Sequence, residues 1–178
     1  MHKCLYLGGA RSGKSRLAQI RAEAAPNVVF IATAQGLDAE MTQRIEHHRS
    51  LRPRHWQVIE EPIHLANALY ECDQNSSQPL ILVDCLTLWL SNLLCSEDDE
   101  RYLLERTKLL TVVTKLRSPL VLVSNEVGLG LIAPTALGRR FVDEAGRLHQ
   151  DLANICDEVI WVAAGLPMWL KKPVSEKI

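Results

Sequence analysis

The chain of 178 residues lacks most of the features that would set it apart from ordinary globular proteins. It has no apolar run of the ~20 residues a membrane span requires. The most apolar stretch, Leu80 to Cys95, carries Asp84 near its start and Ser91-Asn92 further on, so no membrane span is expected. An export signal is not expected either, because the opening apolar stretch stops at Leu7 and charged Arg11 and Lys14 follow Gly8-Gly9. The five cysteines (Cys4, Cys72, Cys85, Cys95, Cys156) include no C-x-x-C pair, which argues against zinc and against a redox dithiol. They are read as reduced core thiols of a cytoplasmic protein. Charge of one sign is missing too: 20 Lys+Arg against 21 Asp+Glu give a formal net charge of -1, leaving no whole-protein field to hold nucleic acid. Internal repeats and low-complexity segments are absent.

What is present is a 47 % hydrophobic, 23 % charged composition, in a length that suits one domain with a real core. Short apolar runs alternate with longer amphipathic ones, the pattern of an α/β fold with a mostly parallel sheet flanked by helices. Strands are expected at Cys4–Leu7, Asn27–Thr33, Gln57–Glu60, Leu80–Asp84, Leu120–Ser124 and Val159–Val162, the last closing the pattern. Helices are expected from Lys14 to about Ala24, from a cap at Asp38 to about Ser50, and from a first turn opened by Pro62. Further helices are expected at Leu86–Leu94, Tyr102–Leu116 after an acidic linker Glu97–Glu100, and about Ala136–Cys156. Residues 1–170 are taken as one nucleotide-binding domain and 171–178 as a polar, frayed tail. Trp89 and Trp161 sit in runs that look buried and are assigned to the core.

Residues 8–15 read Gly8-Gly9-Ala10-Arg11-Ser12-Gly13-Lys14-Ser15, a complete G-x-x-x-x-G-K-[ST] phosphate loop between an expected strand and an expected helix. A triphosphate must meet donors without bulky side chains in the way, which is why glycines flank the loop. Backbone N–H groups and the helix N-terminus face the phosphates, Lys14 brings a cation to the β and γ oxygens, and the Ser15 hydroxyl ligates Mg²⁺. Such a loop usually needs a carboxylate at the end of another buried strand. Asp84, ending Leu80-Ile81-Leu82-Val83, is the leading candidate and could equally cap the helix that follows. Glu126, with Asn125 beside it, is a weaker second candidate.

On a helical wheel at ~100° per residue, Leu37, Met41, Ile45 and His48 fall within roughly 80° of one another and form the core stripe. His47 falls on the other side. The segment Arg44 to Arg54 holds four arginines (Arg44, Arg49, Arg52, Arg54), His47 and His48, with Glu46 as its single acid, which suits a second contact surface for phosphates. A neutral imidazole is a competent nucleophile toward phosphorus, and nearby arginines favour the neutral form.

The motifs G-G-A-R-S-G-K-S at 8–15, I-A-T at 31–33, R-I-E-H-H-R at 44–49, R-P-x-H-W at 52–56, S-N-E-V-G at 124–128 and F-V-D-E-A-G-R-L-H-Q at 141–150 resemble those of a known family. This is the bifunctional adenosylcobinamide kinase / adenosylcobinamide-phosphate guanylyltransferase family of cobalamin biosynthesis, and the resemblance runs from Cys4 to about Ala164. It implies a RecA-like P-loop NTPase fold and a homotrimer. It implies two reactions, phosphorylation of adenosylcobinamide at its aminopropanol hydroxyl by ATP or GTP, then transfer of GMP from GTP to adenosylcobinamide phosphate. The second runs through a covalent guanylyl-histidine at His47. Carried over by position, the nucleotide contacts are Gly8, Gly9, Ala10, Arg11, Ser12, Gly13, Lys14, Ser15, Ile31, Ala32, Thr33, His48, Arg49, Ser50, Leu51, Glu60 and Asp84. The catalytic groups are His47 and Lys14, and the Mg²⁺ ligands Ser15 and Asp84; some relatives carry Glu at the position of Asp84. Two alternatives from the residues alone are a small-molecule kinase that leaves His47 idle and a nucleotide-binding switch without turnover.

Overall fold

The computed structural model describes residues 2–172 apart from 37, 38, 40, 41, 44, 45, 47, 48, 50 and 51. The strands are β1 Lys3–Gly8, β2 Val28–Ala32, β3 Gln57–Glu60, β4 Leu80–Asp84, β5 Leu120–Asn125, β6 Glu158–Ala163 and β7 Leu166–Lys171. The helices are α1 Lys14–Glu23, α2 Leu65–Asp73, α3 Leu86–Leu94, α4 Asp99–Lys115 and α5 Ala136–Ile155. Ala39, Thr42, Gln43, Glu46 and Arg49 are helical as well, within the segment expected to be a helix. These strands belong to one sheet in the order β3-β2-β4-β5-β1-β6-β7. Every pairing among them is parallel except that of β7 with β6.

Central strands of a parallel sheet are covered on both faces, so they read as unbroken apolar runs, as LILVD of β4 and LVLVSN of β5 do. One face, carrying Cys4, Tyr6, Phe30, Leu82, Val121 and Val123, packs on α1 through Ala18 and Ala22, whose small side chains let that helix lie close. The opposite face, with Leu5, Leu7, Ile31, Ile81, Val83 and Leu122, packs on α2, α3, α4 and α5. Helix α5 buries Ala145, Leu148, His149 and Leu152, spacings that trace one helical stripe. Trp89 is fully buried and its indole N–H donates to the Ile63 carbonyl at 2.8 Å. No described helix is long and apolar enough to cross a membrane.

Several elements differ from the expectations. Pro62 does not open a helix; α2 begins at Leu65, and the Glu61 carboxylate accepts the N–H groups of Ile63 and His64 at 2.9 and 2.7 Å ahead of it. The second half of the acidic linker is helix, because Asp98 caps α4 by accepting the Arg101 N–H at 2.9 Å and Asp99 and Glu100 complement the helix dipole in its first turn. Cys95 is exposed, unlike the other four free thiols, and Trp161 is half-buried.

Nor is β6 the last strand. Ala163 pairs with Leu166 across Ala164-Gly165, and both turn residues have positive φ, 52° and 78°, the requirement of a two-residue hairpin turn that follows strand twist. At the far end of β7 the Lys171 ammonium donates to the carbonyls of Ala153, Asn154 and Cys156 at 2.8, 3.3 and 2.6 Å, capping the C-terminus of α5. The edge strand is thereby fastened at both ends.

Asp73, at the end of α2, ties that helix to the start of β5: one carboxylate oxygen accepts the N–H groups of Arg117 and Ser118 at 2.9 and 2.7 Å. Burial pushes its pKa up, but these N–H bonds and the Arg117 guanidinium outweigh it and hold the carboxyl below the usual carboxylate range. A depressed acid stabilises the fold above its unfolded-state pKa, and that contribution is lost as pH falls from about 4 through the folded value. Asp73→Asn is expected to lower the unfolding free energy by about 1–2 kcal/mol at pH 7 and to flatten the loss of stability below about pH 4; urea unfolding of both proteins at neutral and acidic pH measures this.

Candidate active site

The C-terminal ends of the parallel strands lie side by side. Gly8 is level with Asn125, Ala32 with both Glu60 and Asp84, and Asp84 with Val123. Parallel register therefore brings residues from five strands to one edge, the edge at which α/β sheets bind ligands.

The phosphate loop leaves β1 there. Arg11 has φ 56° and Gly13, the N-cap of α1, has φ 96°, a turn that exposes backbone N–H groups. No side chain caps α1 and its first turn holds no acid, so the positive end of its dipole is open to an anion. The loop is seated tightly. A Cβ at residue 8 would stand 2.4 Å from the Val162 carbonyl oxygen, and one at residue 13 would stand 3.0 Å from the Gly165 Cα. The Gly165 N–H donates to the Ser12 carbonyl at 2.8 Å, so the β6–β7 turn forms the back wall of the loop. Nothing in the motif itself announces that wall; the Ala164-Gly165 pair between apolar runs was the available signal.

Lys14 is buried to 7 % exposure and its ammonium donates to the Gly9 carbonyl at 3.2 Å. Burial pulls its pKa down from the ordinary lysine range, and the opposing charge of Asp84 pushes it back. Gly8 is buried at the end of β1, Ser12, Gly13 and Ser15 are half-buried, and Ala10 and Arg11 are exposed. The Ser12 hydroxyl is buried with no hydrogen-bond partner among the described residues.

Asp84 is half-buried at the end of β4. The residue after it is held by Thr33, whose hydroxyl donates to the Cys85 carbonyl at 2.6 Å and accepts the Cys85 N–H at 3.0 Å. Asn92 in turn donates to the Thr33 carbonyl at 2.9 Å. Ile31 and Ala32 are buried on opposite faces of the sheet. In this structure the I-A-T segment is the wall that fixes the position of Asp84.

Arg52 belongs to the arginine-rich segment but not to the contact set carried over by resemblance. Its guanidinium carbon lies 3.7 Å from the centre of the Phe30 ring, and its Nε is buried with no partner among the described residues. Burial pulls its pKa down; Asp84 opposes that shift, Arg49 adds to it and Glu60 opposes it. Arg49 and Glu60 form an exposed ion pair. Lys14, Asp84, Arg52, Arg49 and Glu60 are thus one alternating charge cluster. His47, His48, Ser50 and Leu51 lie outside the described residues.

A hydroxyl at Ser15 and a carboxylate at Asp84 are hard oxygen donors of the type Mg²⁺ takes when water and substrate phosphates complete its shell. The proximity of Asp84 to the phosphate-loop lysine fits that use.

Residues 4–170 match the protein family described as cobinamide kinase / cobinamide phosphate guanyltransferase. The chain is 51% identical over 168 residues to a bifunctional adenosylcobalamin biosynthesis protein of Pseudomonas aeruginosa, covering 94% of this chain and 96% of that one. It is 38% identical over 180 residues to the similarly described protein of Escherichia coli, covering 94% and 98%. Among solved structures it resembles a prototypical ATPase of a bacterial type III secretion system, with TM-score 0.56, 12% identity, and coverage of 94% of this chain and 56% of the ATPase. A protein of Pyrococcus horikoshii OT3 aligns with TM-score 0.55 and 10% identity, over 98% of this chain and 88% of that one. At such identities the likeness is one of fold, the RecA-like P-loop type.

Thr33→Val keeps the side-chain volume and leaves the N–H and C=O of Cys85 unpaired in the interior. The expected cost is about 2–3 kcal/mol, read by thermal unfolding, together with weaker Mg²⁺-nucleotide binding in a titration, since Asp84 loses its anchor.

Proposed function

Because this chain belongs to the cobinamide kinase / cobinamide phosphate guanyltransferase family, we propose that it carries out both reactions of that name on one corrin side arm. In the first, the γ-phosphoryl of ATP or GTP passes to the aminopropanol hydroxyl of adenosylcobinamide. In the second, GMP from GTP is joined to adenosylcobinamide phosphate, giving adenosyl-GDP-cobinamide and pyrophosphate. The observation that carries the reading is the phosphate loop with its uncapped helix and buried Lys14 beside Asp84, in a chain similar to bifunctional relatives over 94% of its length.

Each group has a role that its chemistry suits. Loop N–H groups and Lys14 bind the β and γ phosphates and hold them while charge moves onto the leaving oxygen. Ser15 and Asp84 hold Mg²⁺, which when bound neutralises phosphate charge. Arg49 and Arg52 add cations on the opposite side, and the Arg52 Nε–H, unpartnered among the described residues, is on offer to a phosphate oxygen.

In the transfer step the His47 imidazole attacks the α-phosphorus of GTP: a nitrogen–phosphorus bond forms as the bond to pyrophosphate breaks. A phosphate oxygen of the corrin substrate then attacks the same phosphorus and the imidazole leaves. Splitting the transfer lets the activated guanylyl group wait for a bulky acceptor. Nucleoside triphosphate substrates and reduced thiols suit the cytoplasm. A trimer is the assembly implied by the resemblance, and β7, exposing Leu166, Met168, Trp169 and Leu170, offers apolar surface for it to cover.

The test is incubation with α-labelled GTP and Mg²⁺, followed by denaturation. Wild type is expected to retain label that acid releases and base does not, and His47→Ala to retain none. No label in either, despite tight GTP binding and phosphoryl transfer to cobinamide, would favour a kinase without a covalent step. Binding with no turnover at all would favour a nucleotide switch.

A further inference from the structure

Two segments stand apart from the phosphate-binding groups, Ser124–Gly128 at the end of β5 and the stretch of α5 that reaches His149. They meet in a buried polar chain. The Asn125 N–H donates to the Thr87 hydroxyl oxygen at 2.6 Å, that oxygen lies 3.1 Å from the Ser124 hydroxyl, and the Ser124 hydroxyl lies 2.8 Å from Nε2 of His149. On the other side of the ring, Nδ1 lies 3.7 Å from a carboxylate oxygen of Glu126. Thr87, Ser124 and His149 are all buried. Such a chain in an apolar core is costly unless its members satisfy one another, and here it runs to one half-exposed carboxylate.

The position of that carboxylate is specific. The Glu126 N–H donates to the carbonyl of Gly8, the first residue of the phosphate loop, at 3.0 Å. Strand β5 lies between β1 and β4, so Glu126 emerges between the loop and Asp84. One of its oxygens accepts the Gly128 N–H at 2.6 Å, and a Cβ at residue 128 would stand 2.9 Å from that oxygen. Glycine there makes room for the carboxylate. Directly beyond, Leu129, Leu131 and Ile132 are exposed, an apolar lip next to the carboxylate.

The charge environment separates the two carboxylates of this edge. Asp84 lies in the fields of Lys14 and Arg52; cations beside a carboxylate stabilise its charged form and weaken it as a proton acceptor. Among the described residues the basic side chain beside Glu126 is the His149 imidazole, with Nδ1 3.7 Å from the carboxylate. Burial lowers the His149 pKa, against the pull of Glu126, and so favours the neutral ring, which carries one N–H. The tautomer in which the Ser124 hydroxyl donates to Nε2 puts that N–H on Nδ1, facing Glu126.

We propose that Glu126 is the proton acceptor of the kinase step and His149 the positioning residue that aims it, an assignment that rests on the kinase reading. The acceptor oxygen bonds to the γ-phosphorus as the bond from that phosphorus to the β–γ bridging oxygen breaks. The hydroxyl proton passes to a Glu126 oxygen, and the nucleoside diphosphate leaves with the electron pair. The guanylyl transfer has no such need, because its attacking groups are first an imidazole nitrogen with a free lone pair and then a phosphate monoester whose second pKa is about 6 and which is already ionised. Glu126 thus serves one reaction of the two.

The experiment compares wild type with Glu126→Gln, Glu126→Asp, His149→Leu and His149→Asn. Phosphoryl transfer from γ-labelled ATP to cobinamide and guanylyl transfer from GTP to supplied cobinamide phosphate are measured separately across Mg²⁺ concentrations. Glu126→Gln is expected to lower kinase kcat about 10²–10³-fold, with KM for ATP shifted by less than about threefold, so that the kinase-to-transferase ratio falls about 100-fold. Glu126→Asp should restore part of it. His149→Leu should lower kinase kcat about tenfold, and His149→Asn, which keeps a donor near the Nδ1 position, should recover some of that loss. Equal loss of both reactions, or a raised Mg²⁺ requirement in both, would overturn the assignment in favour of a structural or metal-binding carboxylate; no loss in either would overturn it outright. A wild type without phosphoryl transfer would instead overturn the kinase reading itself.

Discussion

The carbonyl oxygen of Val162 occupies the space in which any side chain at residue 8 would begin, 2.4 Å from the ideal Cβ. That close approach sets the whole functional edge. It brings β6 against the start of the phosphate loop, and the hairpin turn after it then places Gly165 against Gly13 and its N–H on the Ser12 carbonyl. On the other flank the Glu126 N–H holds the Gly8 carbonyl. The loop is therefore gripped between two strands' continuations. Preorganisation of this kind lets backbone dipoles stabilise phosphate charge without rearranging during the reaction.

The charges at the edge are arranged around that fixed loop. Lys14 and Arg52 reach toward Asp84 from different elements, one from the start of α1 and one from the chain just before β3, and both are partly desolvated. A carboxylate shared by two partly desolvated cations leaves positive charge in excess, which a polyphosphate can take up. Phe30, at the heart of β2, supplies the face on which the Arg52 guanidinium lies; a planar cation stacks there in a way that a lysine ammonium would not.

Much of the sheet was legible because parallel strands buried on both faces must be apolar throughout. Leu80–Asp84 stands where that pattern put it, and the edge strand Gln57–Glu60 and the helix Leu86–Leu94 also stand where they were expected. The misplaced boundaries share one physical cause: each was decided by a cap or turn whose partner is set by three-dimensional geometry. Asp98 extended α4 backward, Glu61 delayed α2, and an Ala-Gly turn with two positive φ values added β7. At the edge, the phosphate loop was legible from spacing. Thr33 shows why the neighbouring residues were harder: it entered the contact set by resemblance alone, and its two bonds to Cys85, one donated and one accepted, are set by three-dimensional geometry. Sequence also grouped Arg52 with its basic neighbours, and only the ring beneath it and its closeness to Asp84 distinguish it from Arg54, which is exposed.

On the proposed reading two reactions share this edge and make different demands on it. Binding a triphosphate, neutralising its charge and holding the corrin arm are common to both, so the loop, Lys14 and the Ser15–Asp84 pair suit either one. What differs is the attacking atom: an alcohol oxygen must shed a proton, an imidazole nitrogen or an ionised phosphate need not. A site that runs both reactions is best served by a base that stands apart from the shared cations, since a carboxylate neutralised by Lys14 or Mg²⁺ accepts protons poorly. The sheet order supplies that separation. With β5 inserted between β1 and β4, one carboxylate is committed to the cationic side and another emerges next to the loop, backed by a buried imidazole rather than by an arginine or lysine.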